Sequence, residues 1–207
     1  MMGDETMKLN SKKRAVFLCL CLFLQCLFLG SIWAAIGENI ALHKSYTFNL
    51  PPNYALCTDE GDKTDLTDGK YSEGYFWVQP GTVGWQNRAP IIITIDLEQI
   101  SSISGISYST AAGTANVNWP RAIIILVSDN NQDYYFVGDL VEISSRHYGF
   151  PAPQGYSTHR YKTCNLKTKG RYVRLMVIPS GSYTFCDEIE VFEGPEENLH
   201  LSPGTRV

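Results

Sequence analysis

Residues 91–97 read IIITIDL, a run of mostly β-branched side chains that begins directly after Pro90. β-branched residues favour strands because their side chains pack well on a pleated sheet, and a short apolar run between turn signals predicts a buried strand. Residues 122–127, AIIILV, repeat this pattern between Pro120 and the polar stretch SDNN at 128–131. The two runs predict the centre of a β-sheet.

Shorter strand patterns lie on both sides of these runs. They cover residues 39–46, 103–108, 134–137, 156–165, 171–178 and 188–192. Short strands separated by turn residues are typical of an antiparallel sandwich or barrel, and no segment after residue 37 keeps the 3.6-residue apolar spacing of a long helix. The sequence therefore predicts one all-β domain of about eight strands over residues 38–193, followed by a flexible tail or linker at 194–207.

The chain has 207 residues, of which 44% are hydrophobic and 18% charged. Disordered chains carry fewer apolar side chains and a larger net charge, so this composition indicates a globular protein. The formal net charge is −4, and the basic residues cluster at 8–14, KLNSKKR. Proteins that bind nucleic acids neutralise phosphates with clustered Lys and Arg, so we expect no nucleic-acid partner for the rest of the chain.

The basic segment at 8–14 precedes 22 apolar residues at 15–36, AVFLCLCLFLQCLFLGSIWAAI. This order is typical of a secretory signal peptide, and Ala35 and Gly37 supply the small residues before a cleavage point. About 20 apolar residues also suffice to span a bilayer. Residues 1–37 therefore predict a signal peptide or an uncleaved signal anchor, and in both cases a secreted or extracytoplasmic domain.

Three of the six cysteines, Cys57, Cys164 and Cys186, follow the export segment. In an oxidising compartment we expect one pair to form a disulfide and one cysteine to remain unpaired. Their spacing alone does not distinguish the three possible pairings.

Aromatic residues in turn-like sequence are candidates for a sugar-binding site. Sugar rings pack their C–H faces on aromatic planes, and their hydroxyls need polar side chains nearby. The candidate ligand-binding residues are the aromatic platforms Trp77, Trp119 and Tyr183 with the polar partners Asn118, His147 and Arg160. Trp85 and Phe185 lie close before strands, so we expect them in the core.

Motifs for catalysis are missing from the sequence. There are four histidines but no HExxH zinc motif, no GxSxG nucleophile elbow and no phosphate-binding loop. The acidic residues concentrate in the segment TDEGDKTDLTDGKY at 58–71 and in the last strand pattern. We therefore expect a protein that is not an enzyme.

Several segments together resemble the discoidin family, also called coagulation-factor C-type domains, and the related galactose-binding-like carbohydrate modules of bacteria. The matching segments are NIA at 39–41 with Lys44, LTDGK at 66–70, Trp85 with IDL at 95–97, residues 124–129, RYVRL at 171–175 and DEIEVF at 187–192. They occur in the family's order and span nearly all of residues 38–193. The resemblance implies an eight-stranded antiparallel jelly-roll β-sandwich whose termini lie close together.

The resemblance also implies a structural calcium ion between the acidic turn and the last strand. Carried over by position, its side-chain ligands are Asp68 and Glu188, with carbonyls near Asp65, Lys70 and Asp187 and with Thr82 as a hydroxyl candidate. Calcium prefers such oxygen ligands. An EF-hand starting at Asp62 fails, because Leu66 takes a ligand position and Thr67 replaces the required Gly. A solvated acidic loop without an ion is the alternative.

The implied topology favours a disulfide between Cys57 and Cys186, which leaves Cys164 as a buried thiol. The implied function is an exported, non-catalytic module that binds carbohydrate on cell-surface or extracellular glycans. Two alternatives stay open. One is an adhesion module that contacts protein or phospholipid through apolar side chains such as Phe76 and Trp77, and the other is an accessory domain of a larger polysaccharide-processing protein.

Overall fold

The apolar run IIITIDL forms the first part of the longest strand. The computed structural model describes residues 37–202, so the predicted signal peptide or anchor lies outside the described residues except for Gly37. The strands and the helix are β1 (Tyr46–Phe48), β2 (Val83–Gln86), β3 (Ile91–Ala112), β4 (Ala122–Ser128), β5 (Tyr135–Asp139), α1 (Leu140–Tyr148), β6 (Ser157–Thr163), β7 (Thr168–Ile178), β8 (Tyr183–Cys186) and β9 (Glu188–Glu193). Short 3₁₀ turns cover Glu60–Lys63, Asp65–Thr67, Phe76–Val78 and Glu196–His200.

Strand β3 holds most of the sheet together. Its first half pairs with β1 and β7, and Ile93 lies opposite Leu175 of β7. The register with β7 shifts between Asp96 and Ser101, and the second half of β3 pairs with β6 and β9. The two strands predicted for this region are therefore consecutive parts of one strand.

The larger sheet has seven strands in the order β1-β3-β7-β4-β5, with β6 and β9 also paired to β3. Strands β2 and β8 form a separate two-stranded ribbon, and all of these pairings are antiparallel. The prediction of an all-β antiparallel fold is confirmed, with nine strands between residues 37 and 202 where the sequence predicts about eight. The sequence misses β2 and β8 because each has four residues, too few for a clear alternation.

The core is built from alternate residues of β3 and its neighbours. Ile91, Ile93 and Ile95 are fully buried, since residues two apart on a strand point to the same face. Full burial of one such side chain stabilises the fold by about 1.5–3 kcal/mol. Trp85 and Phe185 are also buried, so their expected place in the core is confirmed.

Helix α1 is not predicted by the sequence. The carboxylate of Asp139 caps it by accepting a hydrogen bond from the N–H of Val141 at 2.9 Å. The helix ends at Gly149, whose φ of 80° is a left-handed conformation that favours glycine. With nine residues it is too short for a clear helical period. Within residues 37–202 no helix is long and apolar enough to cross a membrane.

The segment predicted as a flexible tail or linker contacts β3 in the part that the structure describes, which ends at Ser202. Asn198 is 3% exposed, and its side-chain amide donates to the carbonyl of Ile103 at 3.3 Å. The hydroxyl of Ser102 donates to the carbonyl of Pro195 at 2.6 Å. Polar contacts rather than an apolar pattern fix this segment, and the hydrophobic spacing of the sequence does not reveal them.

Candidate functional site

The acidic segment 58–71 contacts the start of β9. The backbone N–H of Gly69 donates to Oε2 of Glu188 at 3.1 Å, and the N–H of Ser72 donates to Oδ2 of Asp187 at 2.6 Å. Gly69 has a φ of 78°, which glycine adopts without strain. The acidic turn and the last strand therefore meet, as the implied calcium site requires.

Two carboxyl groups at this junction are buried with too few partners. Glu188 is 0% exposed and Asp187 is 1% exposed, and Oε1 of Glu188 and Oδ1 of Asp187 accept no hydrogen bond from any described residue. Burial, with a smaller contribution from Asp68, raises the pKa of Glu188 to about 8. Burial also raises the pKa of Asp187. An unpaired buried carboxylate is unfavourable unless it is protonated or faces a cation, so these residues fit a bound cation.

Other members of the implied calcium set surround the junction. Thr82 is fully buried, and its hydroxyl lies 2.8 Å from Oγ of Ser72. The carboxylate of Asp68 accepts hydrogen bonds from the backbone N–H and from Nζ of Lys70, both at 2.9 Å. A cation that binds through Asp68 therefore competes with the exposed ammonium group of Lys70.

A cluster of three further carboxyl groups lies beside this junction. One oxygen each from Asp59, Asp62 and Asp65 lie within 4.8 Å of one another, so the cluster could hold a metal ion. The sequence-based prediction misses the cluster. The feature of the sequence that indicates the cluster is the three-residue spacing of its aspartates, which places their side chains on one side of a 3₁₀ helix.

A cavity of about 230 Å³ opens beside Asp187, with Tyr71, His159 and Arg160 in its wall. The guanidinium carbon of Arg160 lies 3.9 Å from the centre of the Tyr71 ring, and its Nη1 lies 3.5 Å from Oε2 of Glu190. Nε2 of His159 is buried and has no hydrogen-bond partner within residues 37–202. Burial lowers the pKa of His159, which favours the neutral imidazole. The cavity combines an aromatic ring, a positioned cation and a neighbouring imidazole that burial favours in its neutral form.

The aromatic residues predicted to bind sugar do not line this cavity. Trp77 and Tyr183 pack against Phe185, with ring centres 5.8 and 6.5 Å away, and Trp119 packs against His159 at 5.8 Å. All three candidate rings are half-buried around the smaller part of the core that contains Phe185. At these positions the three rings pack against the core.

Of the predicted polar partners, Arg160 lines the cavity of about 230 Å³, whereas Asn118 and His147 do not. Asn118 is exposed before β4, and His147 is exposed on α1. Tyr71 and His159 are the residues that the sequence-based prediction misses. Neighbouring residues of a strand point to opposite faces, so the sequence does not indicate that His159 and Arg160 border the same cavity.

The side chains that the adhesion alternative requires are not fully exposed. Phe76 is fully buried and Trp77 is half-buried. Tyr75 and Val78, in the same segment, are 55% and 51% exposed. An apolar contact through this segment would therefore use Tyr75 and Val78.

The disulfide between Cys57 and Cys186 is not formed, and the structure describes both residues and Cys164 as free cysteines. Cys57 lies on the face of the β2–β8 ribbon that carries Gly84 and Phe185, because a Cβ on Gly84 would lie 2.7 Å from its Sγ. Cys186 follows Phe185 in β8 and points to the opposite face. The expectation of a buried Cys164 is wrong, because this residue is exposed between β6 and β7.

The family model of the F5/8 type C domain matches residues 52–190. The chain belongs to this family. A comparison with curated proteins gave no match.

Solved structures with a similar fold include modules that were studied with sugars. The lectin binding domain of lectinolysin, as a variant in complex with Lewis b, has a TM-score of 0.51 and 16% identity, covering 76% of this chain and 97% of that one. CpGH89CBM32-5 from Clostridium perfringens, in complex with GalNAc-β-1,3-galactose, has a TM-score of 0.47 and 19% identity over 72% of this chain and 95% of that one. A Streptococcus pneumoniae fucose binding module has a TM-score of 0.44 and 17% identity over 76% of this chain and 96% of that one.

Proposed function

We propose that this chain is an exported, non-catalytic module that binds glycans through the cavity of about 230 Å³ beside Arg160. The observation that carries the proposal is the convergence of Tyr71, His159 and Arg160 on one opening. Membership of the F5/8 type C domain family and the fold shared with the lectinolysin domain support this reading. Export rests on the basic and apolar pattern of residues 8–36.

The chemistry of the cavity suits a sugar hydroxyl group. The guanidinium N–H groups of Arg160 can donate to the ring oxygen and hydroxyls of a sugar. Ser72 and Thr158 add hydroxyl groups to the wall. Pockets for drug-sized ligands have about 300–1,000 Å³, so this smaller space suits a single sugar ring and weak binding at each site.

We propose that calcium at Asp68 and Glu188 stabilises the loop that forms this cavity. Ser72 and Tyr71 of the cavity wall follow directly after the acidic turn, and Ser72 hydrogen-bonds to Asp187. A cation that neutralises Glu188 would remove the unfavourable buried charge at the base of this loop. Calcium would then support sugar binding without touching the sugar.

Isothermal titration calorimetry with galactose, N-acetylgalactosamine, fucose and glucose tests the sugar site, with calcium present and after its removal by EDTA. We expect binding of at least one sugar, and we expect Arg160→Ala to weaken it at least tenfold. Arg146→Ala is the matched control, because Arg146 is an exposed arginine on α1 that pairs with Glu142. Equal affinity in the Arg160→Ala variant and the wild type would refute this location of the site.

A second candidate function is adhesion to a phospholipid surface, which the exposure of Tyr75 and Val78 favours. Vesicle sedimentation with phosphatidylserine and phosphatidylcholine tests it. Binding that sugars do not compete for, and that a Tyr75→Ser/Val78→Ser variant loses, would support adhesion. Sedimentation of this variant equal to that of the wild type would refute it.

A further inference from the structure

The segment Asp59 to Asp65 contains a carboxylate cluster that is separate from the side chains of the calcium site proposed above. Asp59 caps the 3₁₀ turn Glu60–Lys63, Asp62 lies within that turn and Asp65 begins the next one. A 3₁₀ helix has three residues per turn, so a spacing of three brings these side chains to one side. In the calcium site that the family resemblance implies, the ligand near Asp65 is a backbone carbonyl. The carboxylate of Asp65 is therefore available to bind a second ion.

The cluster contains a buried acceptor without a partner. Asp62 is 6% exposed, and its Oδ1 has no hydrogen-bond partner in the described part of the chain. Oδ2 of Asp65 is buried without a partner as well. Burial, together with the charge of Asp59, raises the pKa of Asp62 to about 7 and that of Asp65 to about 6. Three acidic groups therefore crowd together where at least one oxygen can reach neither water nor a hydrogen-bond donor.

No basic side chain of the described residues forms an ion pair with these three carboxylates, although the charge of Lys70 acts on Asp65 from a distance. Among residues 37–202, the nearby lysines form ion pairs elsewhere, Lys63 with Glu60 and Lys70 with Asp68. The backbone N–H of Asp59 hydrogen-bonds to the carboxylate of Asp62, but Oδ1 stays buried without a donor, which is unfavourable while the group is ionised. The arrangement therefore requires either bound protons or a bound metal ion.

The dimensions of the cluster fit a calcium ion. Calcium–oxygen distances of about 2.3–2.6 Å place ligands on opposite sides of the ion about 4.6–5.2 Å apart. The three carboxylate oxygens lie within 4.8 Å of one another. Asp59 and Asp65 also border a cavity of about 400 Å³, through which water could complete the coordination.

The carboxylates of Asp59 and Asp65 come together at Gly61, which has no side chain to keep them apart. A Cβ added there would lie 2.8 Å from Oδ2 of Asp65 and 2.9 Å from Oδ1 of Asp59, closer than real Cβ contacts. The N–H of Gly61 donates to Oδ1 of Asp59 at 2.6 Å and holds that carboxylate in place. A side chain at residue 61 would therefore displace the carboxylates of Asp59 and Asp65 from these positions.

We infer that Asp59, Asp62 and Asp65 form a second divalent cation site, which binds calcium in addition to the site proposed at Asp68 and Glu188. The ion joins the two 3₁₀ turns and neutralises the buried carboxylate of Asp62. This site does not depend on sugar binding.

Calcium stoichiometry, measured by equilibrium dialysis on the full chain after treatment with EDTA, tests the inference. We expect two ions for the wild type, one for an Asp59→Asn/Asp62→Asn variant and one for Glu188→Gln. Asp129→Asn, which removes an exposed carboxylate from the turn after β4, is the matched control and should keep two ions. If the Asp59→Asn/Asp62→Asn variant binds as many ions as the wild type, the inference is wrong.

The same dialysis separates this site from the calcium ion of the proposed function. If the wild type binds one ion, and Glu188→Gln loses it while Asp59→Asn/Asp62→Asn keeps it, the second site is refuted and the first is retained. A single ion with the opposite dependence would support the carboxylate cluster and refute calcium at Glu188.

Thermal unfolding distinguishes a metal site from a purely structural role of the cluster. Without calcium we expect Asp62→Asn to melt at a higher temperature than the wild type, because the variant removes a buried charge. When calcium is added, we expect the melting temperature of Asp62→Asn to rise less than that of the wild type. Gly61→Ala keeps all three carboxylates but displaces two of them, so it should also lose one ion. An Asp62→Asn variant that is equally destabilised with and without calcium would contradict the inference.

Discussion

At the scale of single residues, Glu188 is the side chain whose charge state matters most for stability. Its carboxyl group is buried, and its pKa of about 8 lies well above the ordinary value of about 4.3 for Glu. Between these two values the folded protein holds a proton that the unfolded chain has released, so the free energy of unfolding falls as pH rises. The loss approaches about 1.4 kcal/mol per pH unit for one group, as an upper limit.

We therefore expect the calcium-free protein to lose stability between pH 5 and pH 8, whereas Glu188→Gln should lose less. Asp62 and Asp65, whose pKa values are raised to about 7 and about 6, titrate in the same direction and leave part of the slope in this variant. Urea unfolding in EDTA at several pH values measures the effect. Calcium should flatten the wild-type profile, since a metal ion stabilises the ionised carboxylates. A wild-type stability that rises steadily from pH 5 to pH 8 in EDTA would contradict this account.

At the scale of elements, the side-chain pair between Arg171 of β7 and Asp96 of β3 fixes the two strands where their register shifts. Nε and Nη2 of Arg171 each donate to one carboxylate oxygen of Asp96 at 2.8 Å, and this pair lowers the pKa of Asp96. Paired bonds of this kind are stronger than a single exposed ion pair, which contributes about 0–1 kcal/mol. We expect Arg171→Lys to destabilise the fold more than Arg146→Lys does, because lysine cannot donate from two fixed positions.

The free energies of unfolding of Arg171→Lys and Arg146→Lys, measured with urea and compared with that of the wild type, check this expectation. Arg146 pairs with Glu142 on the exposed face of α1, so its replacement should change stability by less than about 0.5 kcal/mol. Equal effects of the two substitutions would show that the bidentate geometry contributes nothing.

The elements themselves show what the sequence can predict. Long apolar runs such as 91–97 and 122–127 identify their strands, because β-branched side chains favour a pleated sheet, although in β4 the buried residues alternate with half-buried ones. The strands β2 and β8 are missed because each has only four residues. The helix α1 is missed because its caps, Asp139 and Gly149, are a weaker signal than a long amphipathic period. The shift in β3 is also hidden, because it depends on pairing with three other strands.

At the scale of the whole molecule, the sequence predicts well which regions of the chain contact each other. It predicts less well which side chains come together in one cavity. The contact between the acidic turn and β9 follows from the family order of LTDGK and DEIEVF, and the hydrogen bond from Gly69 to Glu188 agrees with it. The cavity beside Arg160 could not be predicted in the same way. Tyr71 and His159 come from distant segments, and their proximity depends on how a loop packs on the edge of a sheet.

The two ends of the described chain are fastened to the same part of the sheet. The N–H of Glu193 donates to the carbonyl of Glu38 at 2.9 Å, and the segment after β9 continues onto β3 through Asn198. We expect Asn198→Ala to destabilise the fold by about 1–3 kcal/mol, because it leaves the buried carbonyl of Ile103 without its donor. Glu197→Ala, a change at the neighbouring exposed residue, is the control and should have little effect. Urea unfolding measures both, and a flexible tail would instead make the two variants equally stable.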